Sequence, residues 1–239
     1  MLGAFDLTFA ESGKLQSLVA EGRELLHRTD YRYDLGGGLS FAPSGWDECF
    51  PTIEAFGESG AMGDLVGREP EMITSIHGVA EIWRMPRYTA VRRFRRDGVS
   101  ALKIEFTVEN SSAAPIEFLW ASHALFSSED LHAVELPDGG VLRDFSLDGT
   151  SAKYFVENAR PVRMRGGDFD CVLQTDQPYW GIWLNKGGWP AGRPAGFGCV
   201  GIEATNTAAD APRGAAIPPG GRFDGMVRLS VEPGEYIRL

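Results

Sequence analysis

The chain is short of several things that would narrow its function at once. No stretch approaches the roughly 18 consecutive apolar residues of a membrane-crossing helix. The opening, MLGAFDLTFAESG, holds neither a basic start nor a continuous apolar run, so no secretory leader is expected and the expected compartment is the cytoplasm. Positive charge is scarce: 23 Lys and Arg against 33 Asp and Glu leave a formal charge of −10. An acidic surface releases no counterions from nucleic acid and does not settle on anionic lipid, so neither is an expected partner. The one strong basic run, RRFRR at 92–96, precedes a DG turn signal and reads as a solvated strand end. Cysteines are few as well. Cys49, Cys171 and Cys199 lie far apart with no CxxC spacing, which fits ordinary buried thiols rather than a disulfide framework. Nucleotide and hydrolase signatures are missing too. There is no GxSxG and no P-loop, and LGGGLS at 35–40 lacks the glycine spacing and following helix of a dinucleotide fingerprint.

What is present is a succession of short β-type runs between Gly, Pro and Asp signals, among them VAEIWRM, YTAVRRF, IEFLWASHALF, YWGIWLN, GFGCVGIEAT and FDGMVRLSVEP. In ALKIEFTVEN, Leu102, Ile104, Phe106 and Val108 share one face while Lys103, Glu105, Thr107 and Glu109 share the other. That period of two describes a strand with a buried and a wet side, as in antiparallel sheets. Only GKLQSLVAEGRELLHR admits a helix, and a strand, tight turn and strand fits it equally. With no repeat and no low-complexity linker, one antiparallel all-β domain over 1–239 is expected. The Gly/Pro-rich segment 187–198 reads as a long loop, the kind of segment that often carries function.

Polar residues set among aromatics are the candidate site. His77 in TSIHGVAEIW and His123 in FLWASHALF lie near Trp83 and Trp120. Tryptophans beside polar groups suit a sugar, whose C–H face stacks on indole while its hydroxyls take hydrogen bonds. His27 and His132 read as exposed. A metal set of His77, His123 and Glu203 is the competing reading, but no HxH or HxxE spacing supports it. In GWDECFPTI the adjacent Asp47 and Glu48 must point to opposite faces of an extended chain. At most one of them can be a pocket-rim acceptor for sugar hydroxyls; otherwise the stretch is a structural corner at Gly45 and Pro51.

Five stretches in order resemble the galactose mutarotase (aldose 1-epimerase) superfamily. SGKLQSLVAEGRELL is similar to its opening strands, SIHGVAEIW to its first-histidine strand and FLWASHALF to its second-histidine strand. YWGIWLNKGGWP with GCVGIEATN resembles the late pair that delivers the catalytic Glu, and PPGGRFDGMVRLSV resembles the closing strand. The resemblance implies an antiparallel β-supersandwich and anomer interconversion without metal or organic cofactor. Glu203 would be the general base, His123 the general acid and His77 a sugar-binding partner. The base and acid are expected about one sugar ring apart, with Trp83, Trp120 or Trp183 as a stacking wall. The sugar-binding Asp would be Asp168, Asp170 or Asp176.

Departures refine these expectations. CFPTI stands where galactose mutarotases carry Asn-Arg, and Ala204 follows Glu203 in place of Pro. The FPTIEAFG stretch is closer to the hexose-6-phosphate epimerase branch, but HGVAE puts Glu81 where that branch has an Arg near the substrate. A Glu there would repel phosphate, so an unphosphorylated sugar is expected. A non-catalytic sugar-binding protein on the same scaffold is the rival reading, and a carbohydrate lyase or hydrolase is a third.

Overall fold

Alternating apolar residues do form strands. The computed structural model describes residues 5–36, 39–167, 169–192 and 196–234, and among them there is no helix. Two antiparallel sheets face each other. The first, of eight strands, runs in the order Phe5–Phe9, Leu15–Ala20, Trp46–Cys49, Ala121–Ser127, Gly198–Thr205, Tyr179–Lys186 and Thr150–Glu157, with Arg23–Glu24 paired onto Leu15–Ala20. The second, of nine strands, runs Val141–Leu142, Ala133–Glu135, Val162–Arg165, Phe169–Thr175, Arg222–Pro233, Ala101–Asn110, Tyr88–Arg96, Gly78–Arg84 and Glu71–Ser75. GKLQSLVAEGRELLHR thus resolves as strand, turn and strand. Glu21 and Gly22 make the turn with φ of 51° and 78°.

The core lies between the inner faces. Trp46, Phe126, Trp180 and Ile202 pack from the first sheet and Leu102, Ile104, Phe106 and Leu229 from the second, all 0–1% exposed. The face assignment in ALKIEFTVEN holds: Leu102, Ile104, Phe106 and Val108 all lie in the core. Cys49, Cys171 and Cys199 are unpaired and buried.

Several residues expected at a sugar site belong to this core instead. Trp120 stacks on Phe106 with ring centroids 5.7 Å apart. Trp83 is 4% exposed and donates its indole N–H to Arg68 O. Neither offers a free face to a ligand. Arg92, read as part of a solvated strand end, is 1% exposed. It reaches between the sheets to Glu81, to Glu48 at 3.6 Å and to the carbonyls of Trp46 and Gly13. The period of two explains it: Arg92 shares a strand face with Ala90 and Phe94, and both are buried in the core. A buried guanidinium is tolerable only when every N–H finds an acceptor, and the two glutamates supply most of that compensation. Glu81 therefore serves Arg92 and faces no substrate. Its expected part in repelling phosphate falls with that placement.

Candidate active site

Antiparallel register sets the site. Asp47 is the cross-strand partner of His123, His123 of Glu203, Glu203 of Gly181 and Gly181 of Phe155. Directly opposed residues project to the same side of a sheet. Asp47, His123 and Glu203 therefore line up on the outer face of the eight-stranded sheet, away from the core. Glu48, one residue on, points inward. Trp120 donates its indole N–H to Glu48 at 2.7 Å and Ser122 its hydroxyl at 3.0 Å. Burial pushes the Glu48 carboxyl up to about 7 against the opposing pull of Arg92. Of the adjacent pair only Asp47 is at the site. Gly45 turns the chain into this strand at φ 70°, where a Cβ would lie 2.5 Å from Leu15 O.

The row is flanked by a cation at each end. Lys14 Nζ lies 2.7 Å from Asp47 Oδ2 and donates to Ser44 O at 2.8 Å and to Ala42 O. Lys153 Nζ lies 2.7 Å from Glu203 Oε2 and 2.5 Å from Asp210 Oδ1. In the middle, His123 Nε2 and Glu203 Oε1 are 3.5 Å apart. Glu203 Oε1 and His123 Nδ1 are buried without a hydrogen-bond partner. Buried polar atoms left unpaired are costly, and in a native protein they mark a place for a ligand or water.

Burial would raise the Glu203 carboxyl. The Lys153 charge, the His123 ring and the Lys153 hydrogen bond outweigh it and hold the carboxyl below its ordinary 4.5. Burial lowers the His123 imidazole below 6.5, with the Glu203 charge opposing. The Lys153 ammonium is desolvated but is raised on balance by Glu203 and Asp210. At neutral pH the row therefore holds a charged carboxylate beside a neutral imidazole.

A cover closes the row from solvent. Glu203 is 0% and His123 6% exposed. The Phe41 ring stands edge-on to His123 at 6.3 Å and packs with Cys49, Val66, Leu119 and Ala121. Phe41 ends a two-stranded hairpin, Tyr33–Gly36 with Leu39–Phe41, that pairs with neither large sheet. Beside it a hollow of about 150 Å³ is lined by Lys14, Gln16, Thr29, Arg32, Phe41 and Val66. Asp210 O accepts from the backbone N–H groups of Ile53 and Glu54, tying its loop to the segment after Trp46–Cys49.

Trp183 belongs to this face. It lies two residues from Gly181 on the same strand, is partly exposed, and donates its indole N–H to Ser151 Oγ at 2.8 Å. Its ring meets Trp189 edge-on at 5.7 Å, and Trp189 contacts Tyr33 at 5.3 Å. The 187–198 loop thus brings an aromatic ring to the site's margin.

His77 does not join the row. It sits in the turn between Glu71–Ser75 and Gly78–Arg84, exposed on the edge of the other sheet beside Ser75, Arg93 and Arg95. A metal set with His123 and Glu203 fails on the same separation. His27, read as exposed, is 9% exposed and stacks on Phe197 at 4.8 Å. Asp170 is bound to Arg165 in the nine-stranded sheet and Asp176 accepts from Met226 N, while Asp168 lies outside the described residues. The Asp that stands beside His123 is Asp47. Lys14, Lys153, Asp210 and Trp189 were not legible as site residues. The signal available for Lys153 is its place in the run AKYFV, two residues before Phe155 and so on the same strand face.

No family model and no curated protein matches the sequence. Solved structures match it closely in shape. A candidate aldose 1-epimerase from Escherichia coli K12 superposes with a TM-score of 0.71 at 13% identity, covering 97% of each chain. A galactose mutarotase related enzyme from Lactobacillus acidophilus gives 0.68 at 14%, covering 100% of this chain and 98% of the other. A galactose mutarotase-like protein from Clostridium acetobutylicum gives 0.69 at 12%, covering 97% and 94%. The chain has the galactose mutarotase-like β-supersandwich fold.

Proposed function

We propose that the protein is an aldose 1-epimerase-type enzyme that interconverts the anomers of an unphosphorylated sugar. The observation that carries this reading is the pairing of Glu203 Oε1 with His123 Nε2, 3.5 Å apart and otherwise unpartnered on the carboxylate side. Ring opening takes one proton from the anomeric hydroxyl O1 and puts another on the ring oxygen O5. Both oxygens are bonded to the anomeric carbon, so the base and acid belong side by side. The expected separation of a whole sugar ring was too large. Glu203 accepts the O1 proton while protonated His123 gives one to O5, and the C1–O5 bond breaks as the carbonyl forms. Rotation about C1–C2 and closure with both transfers reversed give the other anomer. No group besides the two side chains has to move a proton.

Substrate charge follows from the row. Lys14 and Lys153 are each already taken up by carboxylates, so neither is free to bind a phosphate, which favours a neutral sugar over a phosphorylated one. Trp183, beside Gly181, is the ring available for stacking. With Glu203 0% and His123 6% exposed, a pyranose reaches Oε1 only when part of the cover over the row moves aside.

Polarimetry on freshly dissolved aldoses tests the reading: the protein should speed equilibration of at least one, and Glu203→Gln should remove about two to four orders of magnitude of that rate. A second reading, a sugar-binding protein without catalysis, is favoured by the absence of His77 from the row. It predicts sugar binding with no acceleration of any aldose.

A further inference from the structure

We propose that Lys153 is a positioning residue for Glu203: it neutralises Oε2 and leaves Oε1 free and negatively charged beside His123. This rests on the reading of Glu203 as the base. The geometry supports it at three points. First, Lys153 is the cation in contact with Glu203, at 2.7 Å, whereas Lys14 is taken up by Asp47 and two carbonyls. Second, the strand between them has a glycine where it opposes Glu203. A Cβ on Gly181 would lie 3.1 Å from Glu203 Oε2, the oxygen Lys153 bonds, so the missing side chain opens the path for the lysine. Third, Lys153 is itself anchored. Asp210 Oδ1 holds the ammonium at 2.5 Å, and Asp210 O accepts from Ile53 N at 3.0 Å and from Glu54 N at 2.8 Å. The ammonium has three N–H donors, of which two are used by carboxylates.

The chemistry needs this arrangement. A carboxylate with no exposure and no counter-charge takes up a proton, and a protonated Glu203 cannot receive one from a sugar. The charged and titratable groups around Glu203 are His123 on one neighbouring strand and Lys153 across Gly181. Beyond these come Asp47 with Lys14, Asp210, and the Cys49 thiol. Removing Lys153 leaves three carboxylates around a single remaining lysine. Burial then dominates, and Glu203 moves above its ordinary 4.5.

The test compares Lys153→Met, Lys153→Gln and Lys153→Arg by two measurements: the pH–rate profile of aldose equilibration and the denaturant midpoint from about pH 8 down to about pH 5. In the wild type Glu203 is held low, so its contribution to stability is present above pH 4.5 and constant over that range. In the Met and Gln variants the folded state binds a proton that the unfolded chain does not, so their stability rises as pH falls from about 8 to about 5. Because a buried unpaired glutamate titrates near about pH 8, the rate loss relative to the wild type should grow as pH falls from about 8 to about 5, with KM little changed. Lys153→Arg should restore both, and adding Glu203→Gln to Lys153→Met should abolish the stability slope. A rate loss that is independent of pH, with a stability slope equal to the wild type's, overturns the proposal. If the wild type equilibrates no aldose, the reading of Glu203 as base fails. The stability slope then decides by itself whether Lys153 keeps Glu203 ionised.

Discussion

Asp47 and Glu48 are neighbours in the chain but answer to different cations on opposite faces of one sheet. Asp47 Oδ2 lies 2.7 Å from Lys14 Nζ on the outer face, and Glu48 Oε1 lies 3.6 Å from Arg92 Nη1 in the core. The same four-residue strand thus contributes one carboxylate to the candidate active site and another to the bond between the sheets.

That division predicts unequal costs. Arg92→Met should destabilise the protein by roughly 3–5 kcal/mol at neutral pH, because Glu48 and Glu81 lose their buried counter-charge. Burial then lifts both folded-state values further above 4.5, so the loss should shrink as pH falls and the carboxyls take up protons. Urea unfolding at several pH values measures it. An equal loss at every pH would show that packing, not charge, sets the cost.

The acid/base pair predicts an acid-shifted optimum. The proposed reaction needs Glu203 ionised and His123 protonated, which requires a pH above the depressed value of the one and below the lowered value of the other. Mutarotation should decline as pH rises above 6.5, the ordinary histidine value, because burial holds His123 below it. A rate still climbing toward alkaline pH would remove His123 from the role of acid.

Closure of the row predicts selective protection. Diethylpyrocarbonate should modify exposed His77 and His132 readily and His123 slowly. Phe41→Ala should raise the His123 rate toward that of the exposed pair, at a stability cost of about 3 kcal/mol, the low end for a buried Phe. Mass spectrometry of peptides resolves the three sites.

His77→Ala should change neither the mutarotation rate nor the stability by more than about 0.5 kcal/mol, as for other exposed positions away from packed features. A large loss of rate would bring His77 back to the site.

The sequence by itself determined the all-β class, most of the long strands and the parity of side chains within each. Alternation told which residues of ALKIEFTVEN turn inward and that Asp47 and Glu48 diverge, because side chains on an extended chain point alternately up and down. It also carried Glu203 and His123 through the motif resemblance. It could not tell whether a face with His, Trp or Arg is the wet one, since parity is local and burial is set by what packs above. Arg92 was therefore read as solvated and Trp83 and Trp120 as a sugar wall. Only the tertiary structure decided which strands are neighbours. Sheet order puts Trp46–Cys49 and Gly198–Thr205 on either side of Ala121–Ser127, and this places Asp47, His123 and Glu203 in one row. The same order lets Lys153 reach Glu203, 50 residues away in the chain, and leaves His77 on the edge of the other sheet, because cross-strand contacts depend on long-range register.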